Sequence, residues 1–254
     1  MQRPVLKPKL MMPVALLLVG AIAAGVVAAI GARHGQAAPK ITGTELNRPT
    51  PNVPLLNEDG QRVTLADFRG KVVVLSPVLT LCHEVCPLTT GAFISMERAV
   101  GKAGLGDRVV FAEISVDPWR DSPARLHAFT RYTGIDFTLL TGTQQNLRRF
   151  WRFFGVGYFK TPQGKPPDID WWTHKPETFD VAHSDGLFFV DQRGHLRIVI
   201  LGMPNVHGKL AARLRSLLSD KGLKNLARPE APWTVSQALA DLSFLLGQRI
   251  PQPI

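Results

Sequence analysis

An apolar segment without charged residues lies near the N-terminus and limits where a folded domain can begin. It runs from Met11 to Ala32 of the 254-residue chain. A helix of about 20 apolar residues can cross a bilayer, so this segment is long enough. A signal peptide has a shorter apolar stretch and an A-x-A-like cleavage site, which Gly35-Gln36-Ala37 matches poorly. We therefore expect one uncleaved transmembrane helix at residues 11–32, with a cleaved signal or a buried core helix as the alternatives.

Basic residues before this segment predict its orientation. Arg3, Lys7 and Lys9 lie within residues 1–10, and the positive-inside rule keeps such residues in the cytoplasm. The sequence therefore predicts a single-pass protein of the inner (cytoplasmic) membrane. Its N-terminus is expected in the cytoplasm, and the rest of the chain on the periplasmic, extracytoplasmic side.

The formal net charge of the chain is +10, and its lysines and arginines are scattered. No zinc finger, helix-turn-helix or RNA-binding signature is present, so nucleic acid is not expected as a partner. A basic exported domain can approach anionic lipid or an acidic protein. The alternative is that the charge serves solubility alone.

Composition divides the exported part into a tether, a domain and an extension. Residues 33–52 contain several prolines and little periodicity, which is typical of a tether. The domain is expected at residues 53–222. Residues 223–254 form an extension with an amphipathic helix, which we expect to pack against the domain. A membrane surface or a partner protein is the alternative contact for this helix.

Strand and helix patterns alternate along the domain. Short apolar runs predict strands at residues 72–75, 109–115, 187–190 and 196–201. Helical periodicity, with Ser122 and Thr143 as caps and Gly134 and Gly155 as stops, predicts helices at residues 88–100, 123–132, 144–154 and 205–218. This alternation predicts an α/β domain.

A long segment at residues 160–179 interrupts the alternation. It holds four prolines, the pair Trp171-Trp172 and His174, and it lacks periodicity. A loop of this length in a compact domain is usually functional or mobile. We expect it to cover a functional site or to shape the docking of a partner.

The chain has only two cysteines, Cys82 and Cys86, separated by three residues. This spacing excludes a disulfide between distant parts of the fold. The pair stands between a predicted strand and a predicted helix, where the free N–H groups of the first helical turn favour a thiolate. A thiolate is both a nucleophile and a metal ligand, so the pair predicts redox or metal chemistry. Two buried, inert cysteines are the alternative.

A metal ion held by two thiolates needs a further ligand, and His183 is the best placed of the seven histidines. It lies directly before the predicted strand at residues 187–190, and loops at strand ends carry functional groups in α/β domains. His174 is a weaker candidate. The remaining histidines are expected in the tether, on helices or beside a turn: His34, His127, His195 and His207.

Several short motifs follow one another in a characteristic order. The first is Cys82-x-x-x-Cys86-Pro87, directly after a predicted strand. The strings SVDP at residues 115–118 and RDSP at residues 120–123 come next, and LTGT follows at residues 140–143. His183-Ser184 then precedes a strand. Each motif is short, but their joint order is specific.

Together these motifs resemble the Sco/SenC family of copper chaperones for cytochrome c oxidase, over residues 51–218. The resemblance implies a thioredoxin-like fold. It also implies that copper is the cofactor, held by Cys82, Cys86 and His183, and that the copper-bearing subunit of a respiratory oxidase is the recipient. Asp117 is similar to a family aspartate near the site, and we expect it to support the site or cap a helix instead of binding metal.

The sequence departs from the family pattern near the cysteines. Ser76-Pro77-Val78 stands where the family has aromatic residues, and His83 replaces a proline. We expect His83 to face solvent, with a competing metal ligand as the alternative. These departures, with the segment at residues 160–179, concern the identity of the recipient more than the metal site.

Two functions from different classes are predicted. The first is a membrane-anchored copper-binding chaperone that passes copper on by ligand exchange, without covalent catalysis. The second is an extracytoplasmic thiol–disulfide oxidoreductase, with Cys82 as the attacking thiolate and Cys86 as the resolving thiol. The three-residue spacing and the absence of a proline before the strand at residues 187–190 disfavour a generic thioredoxin. A peroxiredoxin-like peroxidase or a zinc site is less favoured.

Overall fold

The protein is described by a computed structural model that covers residues 41–228 and 230–252. The predicted cytoplasmic N-terminus and the predicted transmembrane helix at residues 11–32 lie outside the described residues. Within the described part, no helix is both long and apolar enough to cross a membrane. The described residues belong to one compact unit.

Most strands of the described residues are short. Only β1, β4, β5 and β10 have six or seven residues. The strands are β1 Thr44–Pro49, β2 Leu55–Asn57, β3 Arg62–Val63, β4 Val72–Val78, β5 Val109–Ser115, β6 Thr138–Thr141, β7 Tyr158–Thr161, β8 Asp180–His183, β9 Gly186–Val190, β10 His195–Leu201, β11 Pro204–Asn205 and β12 Trp233–Thr234.

Helices follow or join these strands, and two of them have the capping residues that the sequence predicts at both ends. Ser122 and Thr143 each accept a backbone N–H at the start of a helix, and Gly134 and Gly155 end those helices in left-handed backbone, as the sequence predicts. The helices are α1 Cys86–Lys102, α2 Pro123–Thr133, α3 Gln144–Phe154, α4 Ala212–Arg215, α5 Asp220–Leu226 and α6 Val235–Leu246.

Eight strands form one mixed sheet in the order β1-β10-β9-β4-β5-β6-β2-β3. Strands β4, β5 and β6 are parallel, and β9 pairs antiparallel with β4. Parallel strands are covered on both faces and therefore have continuous apolar sequences. Every residue of β4 is buried. The predicted α/β domain is confirmed.

The core has two layers, one on each face of this sheet. Successive strand residues point to opposite faces, so Val72 and Val74 pack in one layer, and Val73 and Leu75 pack in the other. Helices α1, α2 and α6 cover the first layer, and α3 covers the second.

The sheet begins earlier in the chain than the sequence predicts. Strand β1 lies within residues 33–52, which the sequence assigns to a tether, and it pairs with the edge of β10. Five of its six residues are exposed, and it ends at Pro49, which an edge strand tolerates. A strand without a buried face has no apolar alternation, so no strand signal appears in the sequence.

The single helix predicted at residues 205–218 is wrong. This region contains β11, a turn in which His207 and Gly208 have positive φ angles of 50° and 69°, and the four-residue helix α4. The turn breaks the helix, although apolar side chains at helical spacing still reach the core. These are Leu210, Leu214 and Leu217.

Helix α6 of the C-terminal extension packs on the sheet through Ala238, Leu239 and Leu242, which are fully buried. Asp241 on the same helix accepts hydrogen bonds from the backbone N–H groups of Thr42, at 2.6 Å, and Gly43, at 3.1 Å. The extension therefore holds the chain in place just before β1.

Strand directions bring two distant parts of the chain to one end of the sheet. Strand β4 ends there at Val78, and the segment that carries the cysteines follows. Strand β9 is antiparallel to β4, so it begins at the same end, at Gly186, shortly after His183. We call this end of the sheet the site end.

A buried carboxyl group in β5 makes stability depend on pH. Glu113 is fully buried, and its two oxygens accept hydrogen bonds from the Thr90 hydroxyl at 2.9 and 3.0 Å. Burial raises the pKa of Glu113 to about 8, although the hydrogen bond from Thr90 opposes this effect. The folded protein therefore binds one proton more than the unfolded chain between the ordinary glutamate pKa and about pH 8.

Glu113→Gln should remove this dependence, because the amide does not ionise. The wild type loses stability as pH rises wherever its folded state holds the extra proton. The free energy of unfolding of the variant should therefore exceed that of the wild type by an amount that grows from pH 5 to pH 9, by about 2–4 kcal/mol in total. Urea unfolding at several pH values measures this difference. Glu230→Gln, at an exposed position, is the control and should show no such increase. A constant difference for Glu113→Gln would contradict the prediction.

Candidate metal centre

The cysteine segment places Cys82 in a loop and Cys86 at the first residue of α1. The Cys82 sulfur accepts hydrogen bonds from the backbone N–H groups of Val85, at 3.4 Å, and Cys86, at 3.3 Å. These groups belong to the N-terminal end of α1, where the helix dipole favours negative charge. Both cysteines are free thiols; Cys82 is partly exposed and Cys86 is buried.

His183 is brought to the cysteines by the end of β8. Its Nε2 lies 3.7 Å from the Cys86 sulfur, and its side chain is only 6% exposed. Its Nδ1 lies 3.2 Å from the carbonyl oxygen of Ser184 and 3.4 Å from a carboxylate oxygen of Asp185. Such contacts on one ring nitrogen fix the orientation of the imidazole and leave the other nitrogen to face the thiols.

Electrostatic interactions shift the pKa values of the two thiols in opposite directions. Hydrogen bonding from Cys86 and the positive charge of His183 hold the pKa of Cys82 well below its usual value, despite the opposing effect of burial. Burial and the Cys82 thiolate raise the pKa of Cys86 well above its usual value. Burial alone would lower the pKa of His183, but hydrogen bonding to Cys82 and the charge of Asp185 outweigh it and raise that pKa to about 9. Cys82 is therefore the more acidic of the two thiols, and its negative form is favoured beside His183.

The three predicted site residues are therefore neighbours, although they do not form a finished ligand set. Within residues 41–228 and 230–252, no group of three or more His, Cys, Asp or Glu side chains is arranged to hold a metal ion as it stands. The Cys82 sulfur is engaged by backbone N–H groups. Metal binding at this site requires the thiols and the imidazole to lose their protons.

A cleft of about 360 Å³ opens beside Cys82 and His183. The cysteine loop lines one side, and the β7–β8 hairpin lines another. Although the chain as a whole is basic, the lining contains more acidic than basic residues: Glu84, Asp168, Asp180 and Asp185, with Lys221 and the two histidines His83 and His183.

His83 has a different environment from the one that the sequence predicts. Its side chain is only 12% exposed, so it does not face solvent. Its Nδ1 lies 2.7 Å from the carbonyl oxygen of Leu217, and its Nε2 lies 2.8 Å from the Glu177 carboxylate. Burial alone lowers the pKa of His83, but these two partners outweigh it and raise that pKa to about 9. Both ring nitrogens are occupied, which disfavours the alternative of a competing metal ligand.

Glu177 also connects His83 to the loop after β5, through Arg120. The Arg120 guanidinium donates to Glu177 at 3.0 Å and to the carbonyl oxygen of Phe179 at 2.8 Å. It also donates to Asp117 at 2.6 Å. Asp117 is fully buried and holds the Arg120 guanidinium; its predicted support of the metal site stays a prediction.

The segment at residues 160–179 connects β7 to β8 and packs along the cysteine loop. The indole N–H of Trp171 donates to the carbonyl oxygen of Thr80 at 2.8 Å. Arg125 donates two hydrogen bonds to the Asp170 carboxylate, at 3.0 and 2.8 Å. Together with the bonds of Glu177, these contacts make the segment a fixed wall of the site end.

Among the described residues, His127, His174, His195 and His207 do not line the cleft, and His34 lies outside the described part of the chain. His174 lies in the long segment with a positive φ angle of 57°, and His127 has a side chain that is 51% exposed. Sequence reasoning missed Glu177, Arg120 and Arg125, because their partners are far away in the chain. Only the tertiary structure brings such charges together.

Comparison with known proteins agrees with the family resemblance of the sequence motifs. The family model described as SCO1/SenC matches residues 45–219. Among curated proteins, SCO1 homolog 1 of Arabidopsis thaliana is 32% identical over 43% of this chain and 32% of its own length. Protein sco1 of Schizosaccharomyces pombe is 27% identical over 64% of this chain and 58% of its own length. The chain thus spans only part of these two relatives.

Solved structures share the fold. The structure of Bradyrhizobium japonicum ScoI with copper bound has a TM-score of 0.51 at 22% identity, and it covers 70% of this chain and 99% of that one. The apo Sco1 protein from Thermus thermophilus has a TM-score of 0.50 at 25% identity, and it covers 75% and 98%. The similarity to these structures confirms the predicted thioredoxin-like fold.

Glu177→Ala should destabilise the fold, because it leaves His83 and Arg120 without their shared carboxylate. Removing one partner of a buried ion pair typically costs about 3–5 kcal/mol, and partial exposure of Arg120 places the expected loss near about 3 kcal/mol. Glu177→Gln should lose less, because its amide oxygen still accepts a hydrogen bond. Chemical denaturation measures both, with the exposed Asp107→Ala as the control. Equal stability of Glu177→Ala and wild type would show that the network contributes nothing.

Proposed function

Because the chain belongs to the SCO1/SenC family, we propose that it is a membrane-anchored copper-binding chaperone of respiratory oxidase assembly. It holds copper on Cys82, Cys86 and His183 and delivers the metal to the copper-bearing subunit of a cytochrome c oxidase. The helix at residues 11–32 anchors it in the inner membrane, with the domain on the periplasmic side. The observation that carries the proposal is the contact of His183 with the cysteine pair, 97 positions apart in the chain.

The chemistry of the three side chains fits copper. Soft thiolates select Cu(I), and two thiolates with one imidazole also suit Cu(II). The lowered pKa of Cys82 favours the thiolate, which is the form that binds copper. Asp185 and the Ser184 carbonyl group hold the other ring nitrogen of His183, a kind of support that raises ligand basicity.

Delivery by ligand exchange needs an accessible donor. Cys82 is partly exposed and lines the open cleft, whereas Cys86 is buried. The recipient can therefore approach copper from the side of Cys82 and replace that ligand first. The acidic lining of the cleft favours a cation, and the bonds of the segment at residues 160–179 keep the cysteine loop in place during the exchange.

Copper binding by the full chain tests this proposal. The chain is reduced anaerobically in detergent, loaded with copper and dialysed against a competing chelator, and bound copper is then measured per chain. Wild type should retain about one copper, and Cys82→Ser, Cys86→Ser or His183→Ala should each weaken binding by at least about tenfold, since ligand loss exceeds the effect of losing a supporting group. His127→Ala is the matched control and should bind like wild type. Unchanged affinity in His183→Ala would overturn the three-ligand site.

A second function is favoured by the unequal thiols. A partly exposed thiolate at Cys82 beside a buried thiol at Cys86 is the arrangement of a thiol–disulfide oxidoreductase. Cys82 would attack a partner disulfide and form a mixed disulfide while one partner thiolate leaves. Cys86 would then lose its proton, attack the Cys82 sulfur and release the second partner thiolate, so that two electrons pass from the pair to the partner.

Trapping of the mixed disulfide tests this alternative. Cys86→Ser should accumulate a mixed disulfide with an oxidised thiol reagent, because the resolving step is lost. Cys82→Ser should form much less, because its remaining thiol is buried. Nonreducing electrophoresis with mass measurement distinguishes the adducts. Equal adducts in both variants would contradict the assigned roles of attacking and resolving thiol.

A further inference from the structure

The chain reaches its first strand at the site end. Strand β1 is antiparallel to β10, and Thr44 pairs with Val199. Strand β10 ends at the site end, where Leu201 pairs with Gly186. The start of β1 therefore points toward the end of the molecule that carries Cys82 and His183, and Asp241 fixes the backbone there through the N–H groups of residues 42 and 43.

Few residues separate this point from the proposed anchor. Residues 33–43 lie between the predicted helix at residues 11–32 and β1, and they span at most about 40 Å when fully extended. Two strand spacings of about 4.8 Å separate β1 from β9. The tether thus joins the domain at the end that carries Cys82 and His183.

The large apolar side chains that are exposed also lie at the site end. In the described part of the chain these are Phe159, Ile169, Trp172 and Leu201, with exposed fractions of 62%, 50%, 43% and 67%. Phe159 is one position from Tyr158, which pairs with His183, and Leu201 is the last residue of β10. Single exposed apolar residues are ordinary on a protein surface, but their restriction to one end indicates a contact surface.

Ile169 and Trp172 are presented by a fixed wall. Between them, Asp170 is paired with Arg125, and the Arg125 guanidinium lies 4.9 Å from the centre of the Trp172 ring. Trp171 stacks on Trp172 with ring centres 6.4 Å apart and donates its N–H to Thr80. The Trp172 indole is therefore held in place by Trp171 and Arg125, and 43% of the residue stays exposed.

The residue types of this wall suit the surface of a bilayer. Tryptophan is enriched where lipid headgroups meet the hydrocarbon region, and lysine extends its ammonium group toward phosphates while its methylene groups stay in apolar surroundings. Lys165 and Lys175 are exposed in the same segment. An apolar contact flanked by lysines is typical of interfacial membrane binding.

We propose that the site end rests on the membrane surface, with Trp172 and Ile169 at the level of the lipid headgroups. The inference rests on the proposed function through the anchor and the short tether, and it assigns the segment at residues 160–179 the role of orienting the domain.

Fluorescence quenching by brominated lipid tests the proposal. The full chain is placed in lipid nanodiscs that contain phosphatidylglycerol and phosphatidylcholine, with or without bromine on the acyl chains near the headgroup. Emission from Trp172, taken as the difference between wild type and Trp172→Phe, should fall at least about twofold in the brominated discs. Trp119→Phe is the matched control and should keep the quenching. Ile169→Glu should reduce it, because a charge opposes insertion.

Equal Trp172 emission in both kinds of disc would overturn the proposal, and so would failure of the full chain to enter the discs. Copper retention by the same discs is measured in parallel. Quenching without copper binding would leave the membrane orientation standing and reject the chaperone. Copper binding without quenching would reject the membrane orientation and leave the chaperone standing.

Discussion

The antiparallel pairing of β9 with β4 is the constraint on which the site depends. Its register places Val190 opposite Val73 and Phe188 opposite Leu75. The chain that leaves β4 and the chain that enters β9 therefore meet at one end of the sheet. Burial of both strands stabilises this register, since a slip by one residue would turn their apolar side chains to the wrong core layer. The contact between Cys86 and His183 follows from this packing and needs no direct attraction between them.

Local charge then gives the site its chemistry. The N-terminal end of α1 directs backbone N–H groups at the Cys82 sulfur, while burial keeps Cys86 protonated. A supporting carboxylate, Asp185, keeps His183 in a fixed orientation. The same arrangement suits two tasks, metal binding and thiol exchange, because both begin from a thiolate. The proposed copper ligation would use all three side chains, and for this reason it agrees best with the position of His183.

Two of the three departures from the family pattern, His83 and the segment at residues 160–179, are joined by one contact. His83 stands beside Cys82, and its partner Glu177 lies in the segment at residues 160–179. Neither side chain would be tolerated alone at its buried position, because an unpaired charge away from water is costly. The pair fixes the segment against the cysteine loop, and the fixed segment exposes Trp172 at the site end. A local change next to Cys82 is thus coupled to the outer surface that carries Trp172.

The sequence by itself determined the alternation of strands and helices, the caps of α2 and α3, and the cysteine pair before a helix, because these depend on neighbours in the chain. It also selected His183, through its place before a strand and the resemblance of the motifs. Strand β1 and the break at His207 were missed, since an exposed edge strand and a left-handed turn have weak local signals. The tertiary structure alone decided the partners of His83 and Arg120. Ion pairs join residues that folding brings together across many positions of the chain, and no local pattern specifies which charges will meet.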